Sequence, residues 1–314
     1  MDLREGQMRQ PRSTTPAAIV LGTALTLAAA ACGDTPETAG AGTTTSSTTT
    51  TATPTPVEQP TTGPAKGFDV ATFTSPTTVD STWLPMKPGT HMVYRGETIE
   101  EDEKIPHRVE FTVTDLTKVV AGVEAVVVLE LDYSDDQLEE AELALFAQAD
   151  DKTIWHLGQY PEAYEEGKVV ETPAWVHGVK GAEAGITIRE GDKAGDPSYS
   201  QGWGPEVGWS DRARVIKVDQ RTCVEAGCYE GVKVTEESSD DEPGALQLKY
   251  YAPGVGNVRV GWGGTDPTRE TLELVSAETL DSAALAKARA AALKLEKSAY
   301  QHSKQVWGTT EPAS

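Results

Sequence analysis

After residue 85, apolar and polar positions alternate with a period of two through most of the chain, in short runs ended by glycine, proline or acidic clusters. That alternation reads as strands. The first covers 91–94, entered through the turn at Pro88-Gly89. Residues 108–114 place charged or hydroxyl side chains on one face and apolar ones on the other, and 125–131 is a β-branched run suited to the middle of a sheet. Further strands follow at 186–188, 212–218, 231–236, 245–251 and 270–275, with Gly254 and Gly256 permitting a bulge or a positive φ between two of them.

Three stretches depart from this pattern. Residues 139–150 are strong helix formers taken alone, but Asp150-Asp151-Lys152 forms a turn that returns Phe146 and Ala147 against 154–157, so strand-turn-strand is the preferred reading. Residues 191–208 form a glycine- and proline-rich loop carrying Tyr199 and Trp203, with Trp209 just beyond. A loop of that length is held down by its own side chains, so these rings read as packing anchors ahead of ligand stackers. Residues 281–301 switch to a helical period, with a cap at Asp281 or Ser282 and one small apolar face at Leu285, Ala288, Ala292, Leu295 and Ala299. That helix carries Lys287, Arg289, Lys294 and Lys297; docking on the β domain is favoured over binding a partner. The expected fold is mainly β: an antiparallel twisted sheet, as a sandwich or a partly open barrel, with a C-terminal α-helix. The expected division is a β-rich domain over 71–276, a helix over 277–303 and a disordered tail over 304–314.

The N-terminal pattern is of another kind. Arg4, Arg9 and Arg12 precede an apolar run over 17–27, and alanines 28–31 lead to Cys32. The run is shorter than the roughly 20 residues of a spanning helix, and it reads as a targeting segment over 1–31. The arrangement resembles a bacterial lipoprotein signal, with Ala29-Ala30-Ala31-Cys32 as the lipobox. The resemblance implies diacylglyceryl transfer to the Cys32 thiol and cleavage before it; the alternative is a plain secretory signal that leaves Cys32 as a free thiol. Residues 32–70 are rich in threonine and proline with almost nothing to bury, as expected of a disordered tether. The expected location is the outer face of the cytoplasmic membrane, held through Cys32.

Charge and cysteine content narrow the partners. There are 49 acidic against 27 basic residues and a formal net charge of -22, which argues against nucleic acid or an anionic membrane surface as a direct partner. Besides Cys32, Cys223 and Cys228 flank a short loop between two strands, where a disulfide can close the hairpin. Exported location suits that bond. An acidic loop at 238–242 lacks the spaced oxygen ligands of a calcium loop.

Four segments carry a wider resemblance: Leu84-Pro85-Met86-Lys87-Pro88-Gly89-Thr90, Ala147-Gln148-Ala149-Asp150 with Ile154-Trp155-His156-Leu157-Gly158, Gly178-Val179-Lys180-Gly181-Ala182-Glu183-Ala184-Gly185-Ile186, and Tyr250-Tyr251-Ala252-Pro253-Gly254-Val255-Gly256-Asn257-Val258. Together they resemble the recurring segments of an actinobacterial family of secreted or lipid-anchored proteins of unassigned function. The resemblance spans residues 80 to 276. It implies a β-rich extracytoplasmic domain and carries no catalytic residue.

No H-E-x-x-H, G-x-S-x-G or paired cysteine ligand set is present. An enzyme is therefore disfavoured and no cofactor is expected. The candidate binding residues are Trp155, Trp175, Trp203 and Trp209, lining a pocket for a small apolar ligand or meeting an envelope protein. The expected function is a ligand-binding or protein-interaction module at the cell envelope, acting as a monomer. The alternatives are a structural envelope scaffold and a metal-assisted hydrolase using His156, His177 and Glu206.

Overall fold

A computed structural model of the chain describes residues 63–100 and 102–314. The signal, the Cys32 lipidation position and most of the expected tether lie outside the described residues. Strands β1 (Thr90–Glu100), β2 (Glu103–Val120), β3 (Val123–Ser134), β4 (Gln137–Gln148) and β5 (Ile154–Glu165) run as successive antiparallel hairpins. The short β6 (Lys168–Glu171) and β7 (Trp175–Val176) pair with β5, as does β8 (Glu183–Ile188). Two-residue strands β9 (Tyr199–Ser200) and β10 (Gly202–Trp203) precede a second meander of β11 (Arg212–Val224), β12 (Gly227–Ser238), β13 (Ala245–Ala252), β14 (Gly256–Gly264) and β15 (Thr271–Thr279). Helix α1 (Ser282–His302) follows. Among the described residues no helix is long and apolar enough to cross a membrane.

These strands make one mainly antiparallel, twisted sheet in the order β10-β8-β5-β4-β3-β2-β1-β15-β14-β13-β12-β11-β9. The strands at its two ends, β9 and β10, are separated in sequence by Gln201 alone. The stretch 199–203 therefore stitches both edges, with two residue pairs to β11 and two to β8. The sheet is curled but is not a closed barrel. Gly185 on β8 makes this possible: a Cβ there would lie 1.9 Å from the Gln201 carbonyl carbon, so only glycine lets the stitch lie against the strand.

Both faces of β3 and β4 are buried, which explains why 125–131 is a nearly continuous apolar run. On the outer face, Val123, Ala125, Val127, Leu129, Leu143 and Leu145 form one cluster with Ala292, Leu295 and Ala299 of α1. On the other face, Val126, Val128, Ala144, Phe146, Ile154 and Ile188 cluster with Tyr251 of β13, five strands away from β3 along the sheet. They can meet only across a concave interior. Alternation along β2 puts Val113 in the inner cluster and Leu116 and Val120, three and seven residues further on, in the outer one; the irregularity between Val113 and Thr117 shifts the pairing without exchanging the faces.

Local expectations about 139–150, the disulfide and the helix hold. Residues 139–148 are strand, Cys223 and Cys228 are bonded at directly opposed positions of β11 and β12, and the Asp281 carboxylate accepts from the Ala284 amide as the N-cap of α1. The helix docks on β2 and β4, aided by an ion pair at 2.8 Å between Arg289 and Asp115.

The tail over 304–314 is packed, where disorder was expected. Trp307 is fully buried with its ring 5.7 Å from that of Tyr160, and Ser314 and Thr117 exchange two backbone hydrogen bonds of 3.0 Å. The physical reason is Lys118, whose buried ammonium needs partners. It donates to Glu296 at 2.8 Å, to the Tyr300 hydroxyl at 3.0 Å and to the Glu311 carbonyl, so the tail completes its coordination. The ordered part also starts before residue 71: the Phe68 ring lies 5.2 Å from Trp155 and 4.4 Å from His177.

Candidate functional site

The interior becomes polar along β3 and β4. Residues Val126 and Val128 share their face with Glu130 and Asp132, and Phe146 and Ala144 share theirs with Glu142 and Glu140, because side chains two apart in a strand point the same way. The register sets Glu130 directly opposite Glu142, and Asp132 opposite Glu140. Glu130, Asp132 and Glu142 are buried and Glu140 is half-buried. Like charges opposite one another in a ladder are unfavourable.

Other strands bring counter-charges to this block. His107 of β2 sits between two carboxylates, with Nε2 2.6 Å from Asp132 and Nδ1 3.0 Å from Glu270. Burial alone would lower the imidazole pKa, but hydrogen bonds to Asp132 and Glu270 outweigh it and raise it to about 10. Lys249 of β13 lies 2.9 Å from Glu237 of β12. Burial pushes Glu130 up to about 8, with the charges of Asp132 and Glu270 adding to the effect and Lys249 and His107 opposing it. Glu142 is raised well above the ordinary carboxylate value by burial first, then by Glu140 and Glu130. Both of its carboxylate oxygens lack a hydrogen-bond partner among the described residues, although the side chain is buried.

A polar route links this block to the stitch. The Gln201 amide donates to Glu237 at 2.9 Å. The next residue, Gly202, packs against Trp175 and Trp209 so closely that a Cβ would lie 2.5 Å from the Trp209 Nε1. These two rings and His156 form one buried cluster, with centroids 4.8 Å apart for His156 and Trp175, and 5.8 Å for Trp175 and Trp209. Burial lowers the His156 pKa to about 3, so the ring is neutral. The indole Nε1 of Trp175, that of Trp209 and the Gln201 Oε1 have no hydrogen-bond partner among the described residues.

The structure divides the expected binding residues. Trp175 and Trp209 come together; Trp155 lies in the outer cluster beside Phe68 and Phe73; Trp203 is half-buried on β10. A crevice beside Trp175, lined also by Lys180, Pro205 and Val306, holds about 10 Å³, room for one water. The expected hydrolase trio does not converge. His156 stacks on Phe146, His177 accepts from the Ala184 amide at 3.1 Å, and Glu206 is an exposed partner of Lys180. Among the described residues no three His, Cys, Asp or Glu side chains are grouped as a metal ion requires.

The interior carboxylates were missed by the sequence reading. Their signal was present, as Glu130 in phase with Val126 and Val128, and Glu142 in phase with Ala144 and Phe146.

No family model matches the chain, and none of the curated proteins compared with it matches. Two solved structures are similar to it in part. One is a Bacteroides fragilis protein inferred to be exported and described as having a YmcC-like fold, with a TM-score of 0.39 and 10% identity over 63% of this chain and 99% of that one. The other is a Parabacteroides distasonis protein inferred to be a lipoprotein, with a TM-score of 0.32 and 11% identity over 63% of this chain and 100% of that one. Neither source is an actinobacterium, so the actinobacterial resemblance rests on the quoted segments alone. Likeness at these scores carries no conclusion about fold or function.

Proposed function

We propose that this chain is an extracytoplasmic lipoprotein that serves as a ligand-binding module at the cell envelope, anchored through Cys32 and held off the membrane by the threonine-rich segment. The ligand occupies the polar side of the curled sheet. Glu142 is the observation that carries this reading. A buried carboxylate with no partner costs several kcal/mol, and nothing in the packing of β3 and β4 needs it. A ligand donor at that position offsets the cost. Trp175, Trp209 and Gln201 supply further unpartnered polar atoms along the same route. The proposed ligand is accordingly polar, in place of the small apolar one inferred from the tryptophans. The apolar run before Cys32 and the Cys223–Cys228 bond both support an oxidising location outside the cytoplasm.

The test is a thermal-shift panel of small polar amines, sugars and organic acids on the full chain and on Glu142→Leu. At least one compound is expected to raise the Tm of the natural chain by several degrees and to lose that effect in the variant. If no compound stabilises the natural chain, the structural scaffold replaces the binding module.

A further inference from the structure

We infer that the ligand of this interior is an organic cation bearing primary ammonium groups, bound between Glu130 and Glu142. The inference rests on the binding-module reading and names its ligand class. Side chains directly opposite in an antiparallel pair have Cβ atoms about 4.5–5.5 Å apart, so one small donor group can meet both carboxylates. The cations already inside are committed elsewhere, Lys249 to Glu237 and His107 to Asp132 and Glu270. Glu142 is left with both oxygens unpartnered at 1 % exposure.

The donor type follows from the spacing. Among the described residues no three ligating side chains group tightly enough for a metal ion. An ammonium has three diverging donors and needs no rigid coordination shell, so it can bridge two carboxylates carried by adjacent strands. A buried ammonium–carboxylate contact already sits beside this block, where the Lys249 ammonium meets Glu237. A guanidinium is planar and suits two oxygens of a single carboxylate. Around the block, Glu140 and Gln247 are half-buried, whereas the inner apolar cluster of Val126, Val128 and Phe146 is fully enclosed. A net charge of -22 concentrates cations around the molecule.

Binding should exchange protons. Glu130 and Glu142 face one another, with Asp132 on β3, Glu140 on β4, His107 on β2, Lys249 on β13 and Glu270 beside β15 as the charged groups around them. Burial favours the protonated form of Glu130 and Glu142, an arriving ammonium favours the ionised one, and binding therefore displaces protons.

Titration calorimetry of the full chain with 1,5-diaminopentane, in two buffers of different ionisation enthalpy at pH 6 and pH 8, tests this. Expected are proton release, affinity that rises by about tenfold per pH unit for each proton displaced, and at least tenfold weaker binding in Glu142→Gln. Glu130→Gln, on the opposing strand, should show the same loss, and the Tm of both variants confirms folding. Equal affinity in the natural chain and both folded variants, binding without proton release, or tighter binding of a matched guanidinium compound overturns the ammonium assignment. If the diamine fails while another polar compound stabilises the natural chain and not Glu142→Leu, the ligand class falls and the binding module stands. If nothing binds, both fall.

Discussion

Glu130 and Glu142 occupy directly opposed positions of β3 and β4, both buried, on the concave side of the curled sheet. Two ionised carboxylates cannot share such a place cheaply. Relieving the pair should therefore stabilise the fold. Glu142→Leu is expected to raise stability by about 1–3 kcal/mol at pH 8 and by less at pH 5, where protonation already removes the repulsion. Denaturant melts at the two pH values check this, and a destabilised variant at pH 8 would refute it.

Stability of the natural chain should fall as pH rises. The Glu130 pKa moves from 4.5 unfolded to about 8 folded, and that of His107 from 6.5 to about 10. Both are raised, so each contribution is complete below the unfolded value and is lost as pH climbs to the folded one. Between pH 6.5 and 8 the two act together, each by at most about 1.4 kcal/mol per pH unit. Scanning calorimetry should give a lower Tm at pH 8 than at pH 6.5; an equal or higher one would contradict the assignment.

Lys118 and Glu296 tie the helix and tail to β2 from a fully buried position. Lys118→Met leaves the Glu296 carboxylate buried without its cation and is expected to cost about 3–5 kcal/mol. Adding Glu296→Gln should restore part of the loss. An additive double mutant, measured by urea unfolding, would show that the two do not act as a pair.

Gly185 lets the stitch lie against β8. Gly185→Ala should push 199–203 off the sheet edge and speed amide exchange at Gln201, whose N–H donates to the Asp211 carbonyl at 2.7 Å. Unchanged exchange there would mean that the seam tolerates a side chain.

Reducing the Cys223–Cys228 bond frees a short loop, so the expected loss is modest, about 2 kcal/mol. Melts with and without reductant measure it. A loss much larger than this would mean that the hairpin tip carries more of the fold than its loop length implies.

Local periodicity made much of this protein legible. The alternation of 108–114 and 245–251, the cysteines at opposed strand ends and the helical spacing after Asp281 each depend on residues within a few positions of one another. The interior charges were harder to read. Glu130 is in phase with Val126 and Val128, but a lone strand does not say which of its faces will be enclosed.

By itself the sequence determined the strands, the hairpin disulfide, the helix and its cap, because backbone geometry and side-chain period act locally. Only the tertiary structure decided that Trp307 has a place to bury, since Tyr160 lies on a strand that comes near the tail only when the sheet is assembled. Curling of the sheet likewise decided that Glu130 and Glu142 face the same enclosed space as Lys249 and Glu270, more than a hundred residues further along the chain. Burial is a property of the whole assembled surface, and it turns an ordinary acidic residue into a buried charge that seeks a partner.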